Sequence, residues 1–413
     1  MIRILESKDM GRVLARRKTR LTEAEEVVRP ILETVRTRGD KGLLELARKF
    51  DNFEGKSVRV PAGELAASAK RVKDDFKEAV EIAARNVRRY AEKQVPAEFT
   101  SPFAKGYKVG QIVRPLDTVG CYIPAGRYPL PSSLIMTAVP AQAAGVKNIC
   151  VACPKPVDEV YATARYLGID QVFQIGGAQA IAAFAYGTKT VPRADRIVGP
   201  GNIYVTAAKK LLAGEVGIDF VAGPTEILII AAQAEAHFVA ADMLAQAEHD
   251  TDASAFFLTT SKRLAAAVAQ EIEHQLATLS TAAVARKAID KNSAIVVVGS
   301  LNEAIELSNA FAPEHLSLHH EELLPKVRHA GSVFIGPYSP EAAGDYATGP
   351  NHVLPTNGAA RLRGGLSAAD YVKVISVQQL DLLALEKLSP AITTLARAEG
   401  LEAHARSVEV RLA

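Results

Sequence analysis

The sequence predicts an α/β protein of two doubly wound domains, with a helical N-terminal segment before them and a C-terminal tail after them. Two observations predict it. Short apolar runs alternate with amphipathic runs from about residue 117, and the alternation restarts after a break near residue 225. Such alternation means parallel strands joined by crossover helices. The length, 413 residues, also exceeds what one hydrophobic core ordinarily serves.

The elements follow in order. Residues 22–90 are helical and heavily charged; one helix, 24–38, ends at Gly39, and Asp40 is placed to cap the next. Strands are expected at 119–123, 148–153, 171–175 and 195–198, with helices starting at 132 and spanning 158–167, 179–186 and 202–212. Ligands in such sheets bind beyond the carboxyl ends of the strands, so the loops Pro124-Ala125-Gly126, Gly176-Gly177 and Gly199-Pro200-Gly201 form the expected rim. None of them has the spacing of a dinucleotide fingerprint, and anion binding at a helix start or plain turn chemistry both remain open. The second unit has strands at 227–231, 255–258, 294–298, 316–318 and 332–335. Beyond Ser367 the chain reads as helical, closing in a strand-like run at 408–412.

Composition excludes several classes. A net charge of +3, from 49 basic and 46 acidic residues, implies no nucleic-acid partner, and the run Arg16-Arg17-Lys18-Thr19-Arg20 reads as a solvated face. No apolar run reaches membrane-spanning length and the charged N-terminus lacks a leader's apolar region, so a soluble cytoplasmic protein is expected. The 3 cysteines, Cys121, Cys150 and Cys153, are too few and too clustered for a disulfide framework and read as core residues.

The chemistry concentrates at the end of an amphipathic helix reading D-M-L-A-Q-A-E-H-D from Asp242, where Gln246 and His249 stand three apart on one face. Pro313-Glu314-His315 leads into a strand, Gly344-Asp345-Tyr346 and Asn351-His352 lie in a glycine and proline-rich loop, and His404 is in the tail. These are nitrogen and oxygen donors without thiolate, which suits zinc or manganese with room for a substrate. Glu314 and His315 add two proton carriers. His237, His274, His319, His320 and His329 read as structural.

The run from Ile218-Asp219 through Ala222-Gly223-Pro224-Thr225-Glu226 to Gln246-Ala247-Glu248-His249 resembles the signature of the histidinol dehydrogenase family. So do Gly176-Gly177-Ala178-Gln179-Ala180, 198–205, Ala312-Pro313-Glu314-His315-Leu316, 343–356 and 398–404, and the resemblance spans nearly the whole chain. It implies a zinc- and NAD-dependent enzyme that oxidises L-histidinol to L-histidine in two steps, the last reaction of histidine biosynthesis. The implied metal ligands are Gln246, His249, Asp345 and His404; His315 is the implied general base and Glu314 the residue that activates water. Thr225, His352 and Glu399 match substrate-contacting positions, while Tyr122, Gln179 and Asn202 match those lining the nucleotide. The family usually has serine at position 225 and often glycine at position 125, where this chain has Thr225 and Ala125.

The organisation this implies is an N-terminal arm at 1–16, a discontinuous metal and substrate domain at 17–118 and 225–366, an incomplete Rossmann-like nucleotide domain at 119–224, and a tail at 367–413. The resemblance implies a homodimer whose tail crosses to the other subunit, and the residues agree with it, since Leu380, Leu382, Leu383 and Leu385 would expose an apolar patch if the helices docked on nothing. Against this reading stand a related metal- and NAD-dependent dehydrogenase of another polyol, a zinc hydrolase and a non-catalytic assembly protein. The hydrolase would not need the glycine-rich rim, and the assembly protein would need neither Glu314 nor His315.

Overall fold

The computed structural model describes residues 2–9, 21–125, 128–155 and 157–413; the basic run 16–20 and Gly126 lie outside them. In chain order the strands are β1 (Arg3–Glu6), β2 (Phe99–Ala104), β3 (Tyr107–Pro115), β4 (Thr118–Tyr122), β5 (Asn148–Ala152), β6 (Gln171–Phe173), β7 (Arg196–Val198) and β8 (Gly217–Ile218). They continue with β9 (Glu226–Ile230), β10 (Ser254–Thr259), β11 (Ala294–Val297), β12 (His315–Leu318), β13 (Ser332–Ile335) and β14 (Val372–Leu380). Each of the nine strands expected in the two strand-and-helix units is present, within a residue or two of its expected ends.

Two parallel sheets carry the fold. The first has the order β6-β5-β4-β7-β8; the second has β1-β11-β10-β9-β12-β13 and takes its edge strand from the N-terminal arm. Both follow from period-2 burial on two faces. In the first sheet Val119, Cys121 and Val151 pack to one side, while Tyr122, Cys150 and Ala152 pack to the other. In the second, Ile227, Ile229, Phe257 and Ile295 oppose Leu228, Ile230, Phe256, Leu258 and Val296. The free cysteines are buried, and burial pushes the Cys121 and Cys150 thiols up to about 12 and Cys153 up to about 11, as expected of core residues.

The structure departs from expectation at several places. The helix Leu21–Asp51 breaks at Gly39 (φ 52, ψ −134) as expected, but the Asp40 carboxylate accepts from Thr190 N and Oγ1 and so ties this helix to the first sheet. The N-terminal helices also share their core with that sheet: Val28, Leu32 and Val35 pack on one face, and Val80 and Val87 of the helix Asp74–Gln94 on the other.

A three-stranded antiparallel sheet, β14-β3-β2, was not expected at all. It places a strand in the segment read as helical beyond Ser367. The run 408–412 is the end of the helix Glu402–Glu409 and a turn rather than a strand, and the loop around Asp345 contains a short helix, Glu341–Tyr346.

Each parallel sheet has a point where the order of its strands reverses, between β4 and β7 in the first and between β9 and β12 in the second. Across the gap Tyr128 Oη donates to Glu248 O (3.4 Å), Asn351 Nδ2 to Met136 O (2.6 Å), and Asn86 Nδ2 to Ala347 O (2.8 Å). The carboxyl end of one sheet thus meets the amino end of the other.

Candidate active site

Register brings the first pair of side chains together. β12 runs parallel to β9 with His315 opposite Ile227, so Glu314 arrives beside Glu226. Glu314 Oε2 accepts from Glu226 N (2.9 Å) and from Thr225 Oγ1 (2.5 Å). These residues lie at the amino ends of β9 and β12, the opposite end from the one usual for ligands in parallel sheets.

His315 is 3% exposed. Its Nδ1 lies 3.2 Å from Glu226 O, and because a carbonyl can only accept, Nδ1 carries the proton. Nε2 is then an unprotonated nitrogen, buried and, among the described residues, without a hydrogen-bond partner, 3.8 Å from Asp345 Oδ1. Burial pushes the imidazole down to about 3, so it is a neutral base at any working pH.

The helix Ala236–Ala247 supplies Gln246, fully buried in its last turn; His249 stands just past its end and is more exposed. The Gln246 amide meets Thr225 Oγ1 at 2.6 Å. His249 Nε2 lies 3.9 Å from Asp345 Oδ2. The negative end of the helix dipole points into this group, which favours a cation there.

The helix Glu341–Tyr346 brings Glu341 and Asp345, four residues apart on one face, against the same point. His249, Glu341 and Asp345 offer ligand atoms within 4.8 Å of one another. Burial raises Glu341 and Glu314 well above the usual carboxylate range and Asp345 to about 6, so without a cation all three hold their protons to higher pH than free carboxyls do. A divalent ion fits this set: the donors are nitrogen and oxygen, the acids are close enough to repel one another, and a buried imidazole nitrogen faces them unpaired. His352 borders the group, its Nδ1 2.8 Å from Asp345 O and its Nε2 3.4 Å from Ser133 Oγ; burial pushes it down to about 4.

Of the residues expected in the site, the fold gathers Thr225, Gln246, His249, Glu314, His315, Asp345 and His352. Glu341 was missed, although its spacing from Asp345 was a usable signal. Glu399 and His404 are exposed on the tail, and among the described residues no hydrogen bond or ion pair links their side chains to the cluster.

The expected nucleotide-lining residues surround the reversal point of the first sheet. Tyr122, at the end of β4, accepts through Oη from Gly177 N (3.1 Å). Gln179 donates to Asp51 Oδ2 (3.0 Å). Asn202 is exposed and caps the helix Ile203–Leu212, accepting from Tyr204 N and Val205 N. A side chain at Gly199 (φ 115) would collide with the Tyr122 carbonyl oxygen, so the turn lies close against that strand end.

The family model for histidinol dehydrogenase matches residues 14–412. The histidinol dehydrogenase of Geobacter metallireducens is 47% identical over 416 residues, covering 98% of this chain and 95% of that protein. The crystal structure of histidinol dehydrogenase from Elizabethkingia anophelis superposes with a TM-score of 0.96 at 36% identity, covering 100% of this chain and 98% of that one. An acetylating aldehyde dehydrogenase from Geobacillus thermoglucosidasius superposes with a TM-score of 0.51 at 12% identity, covering 90% of this chain and 96% of that one, a likeness of fold alone.

Proposed function

The chain belongs to the histidinol dehydrogenase family, and on that premise we propose that it oxidises L-histidinol to L-histidine with NAD and a bound metal, zinc in the first instance, as the last step of histidine biosynthesis. The observation that carries this reading is His315, a buried neutral imidazole whose Nδ1 proton is fixed on Glu226 O and whose bare Nε2 faces the His249, Glu341 and Asp345 cluster.

Gln246, His249 and Asp345 would hold the ion, with His404 of a second copy completing the set, and Thr225, His352 and Glu399 would position the substrate. When bound, the ion would grip the substrate's imidazole and amino nitrogens and polarise its oxygen. His315 Nε2 takes the hydroxyl proton while hydride passes from the carbinol carbon to the nicotinamide, leaving the aldehyde, NADH and a protonated His315. Glu314, as a carboxylate, would remove a proton from water as that water adds to the aldehyde carbon, while His315 returns its proton to the aldehyde oxygen, which gives the hydrate and leaves His315 neutral again. The hydrate then loses hydride to a second NAD and a proton to His315, which gives the carboxylic acid. Burial keeps bulk water from these steps, since Glu314 and His315 are 5% and 3% exposed.

NAD would lie across the carboxyl end of the first sheet, against Tyr122, Gln179 and Asn202. Both parallel domains are read as doubly wound and incomplete Rossmann-like. The enzyme is read as a cytoplasmic homodimer; among the described residues no helix is long and apolar enough to cross a membrane.

Purified protein incubated with histidinol, NAD and zinc should yield about two NADH per histidinol, the stoichiometry of a four-electron oxidation. No NADH would overturn the reading, and one NADH with accumulated aldehyde would overturn the role given to Glu314.

A further inference from the structure

The turn Gly199-Pro200-Gly201 between β7 and the helix Ile203–Leu212 has no polar side chain of its own, and only the Pro200 ring restricts it. Its first peptide is held from outside by a buried ion pair that the reaction does not use. Gly199 N donates to Asp219 Oδ2 (2.8 Å), and Gly199 O accepts from Lys209 Nζ (2.7 Å). Lys209 Nζ and Asp219 Oδ1 meet at 2.5 Å, with side chains 3% and 0% exposed. Asp219 Oδ1 also accepts from Phe220 N (2.7 Å).

A buried ion pair is a poor way to stabilise a fold. Removing both charges from water is expensive, and apolar residues of similar volume often do as well or better. What this pair adds is directional. It grips both the N–H and the C=O of Gly199, a residue at φ 115 pressed against the Tyr122 carbonyl and three positions before Asn202. We propose that Lys209 and Asp219 are positioning residues for NAD: they fix the Gly199 peptide between Tyr122 and Asn202 and so set the shape of the nucleotide groove. The inference rests on the placement of NAD given above.

The test uses zinc-loaded protein and three variants, Lys209→Met, Lys209→Met/Asp219→Leu and Asp219→Asn. The single Lys209→Met leaves Asp219 buried without its cation and should melt at a lower temperature. The double variant should recover much of that loss, yet bind NAD at least about tenfold more weakly in direct titration, because apolar side chains pack but cannot grip a peptide. Its KM for NAD should rise in parallel, with the KM for histidinol within about twofold of wild type. A stable double variant with wild-type NAD affinity, or one in which both KM values rise alike, would overturn the proposal.

Asp219→Asn covers the case in which the double variant does not fold. One amide oxygen cannot serve three donors, so NAD affinity should fall here too, and an unchanged affinity also counts against the proposal. Hydrogen exchange in the wild-type protein separates the two readings. If NAD gives no protection over residues 199–205, the placement of NAD fails and the inference with it. Protection there combined with unaltered affinity in the variants rejects the inference alone.

Discussion

Glu314 and His315 are neighbours in sequence with opposite electrostatic fates, and that difference sorts their roles. Burial lowers His315 to about 3 and keeps its ring unprotonated, free to accept a proton, while it raises Glu314 well above the usual range and leaves a carboxyl that a nearby cation would help to ionise. Glu314→Gln should therefore slow the aldehyde-to-acid step by about 10²–10⁴-fold, the usual worth of a positioned base, and spare the alcohol step. Single-turnover traces resolve the two phases, and equal slowing of both would reject the division of labour.

The same burial predicts a pH dependence of metal stabilisation. Asp345 has its folded value raised from 3.8 to about 6, so its contribution to the metal-free fold is present at low pH and lost as pH rises through that window; Glu314 and Glu341 act in the same direction at higher pH. His315, lowered from 6.5 to about 3, acts oppositely and loses stability as pH falls. A metal ion replaces the carboxyl protons, so the rise in melting temperature on adding zinc should be larger at pH 8 than at pH 5. Equal shifts at both would contradict it. At this scale the sequence was legible where residue type speaks for itself, as at Gln246, His249 and Glu314-His315. Glu341 escaped because a lone acid after a proline looks like solvent-facing loop; its spacing from Asp345 hinted at a shared face, but its burial, at 2% exposure, comes from the fold.

Among the elements, the helix Ile203–Leu212 offers the sharpest test, because Asn202 is both its cap and an expected nucleotide contact. Asn202→Ala should cost about 1 kcal/mol, the usual loss of a capping side chain, whereas Asn202→Ser retains a cap and should melt near wild type. If Asn202 also touches NAD, both variants raise the KM for NAD. A serine variant that restores stability and KM together would make Asn202 a cap alone. The parallel strands were legible because each is an apolar run bounded by turn residues, and both faces of each sheet are buried in this chain. The antiparallel sheet was not. In β2, Pro102 interrupts the pattern, and β14 is exposed along nearly its whole length, so neither strand carries the alternation that a buried face imposes.

For the whole molecule, the outstanding fact is the uncovered tail. Val374, Ile375 and Val377 of β14, with Leu382, Leu383 and Leu395 of the helix Leu382–Ala398, are all at least 42% exposed. Glu399 and His404, whose types suit the site, lie out on the same tail. Both facts are accounted for if two copies exchange tails, which covers the apolar surface and completes each metal site from its neighbour. An inactive His404→Ala protein and an inactive His249→Ala protein, mixed equally and allowed to exchange subunits, test this most directly. Heterodimers would hold one site with both defects and one with neither, so activity should return to about a quarter of wild type, the statistical share for reciprocal two-fold exchange. Verified heterodimers that remain inactive, or a wild-type monomer that turns over alone, would contradict the shared site.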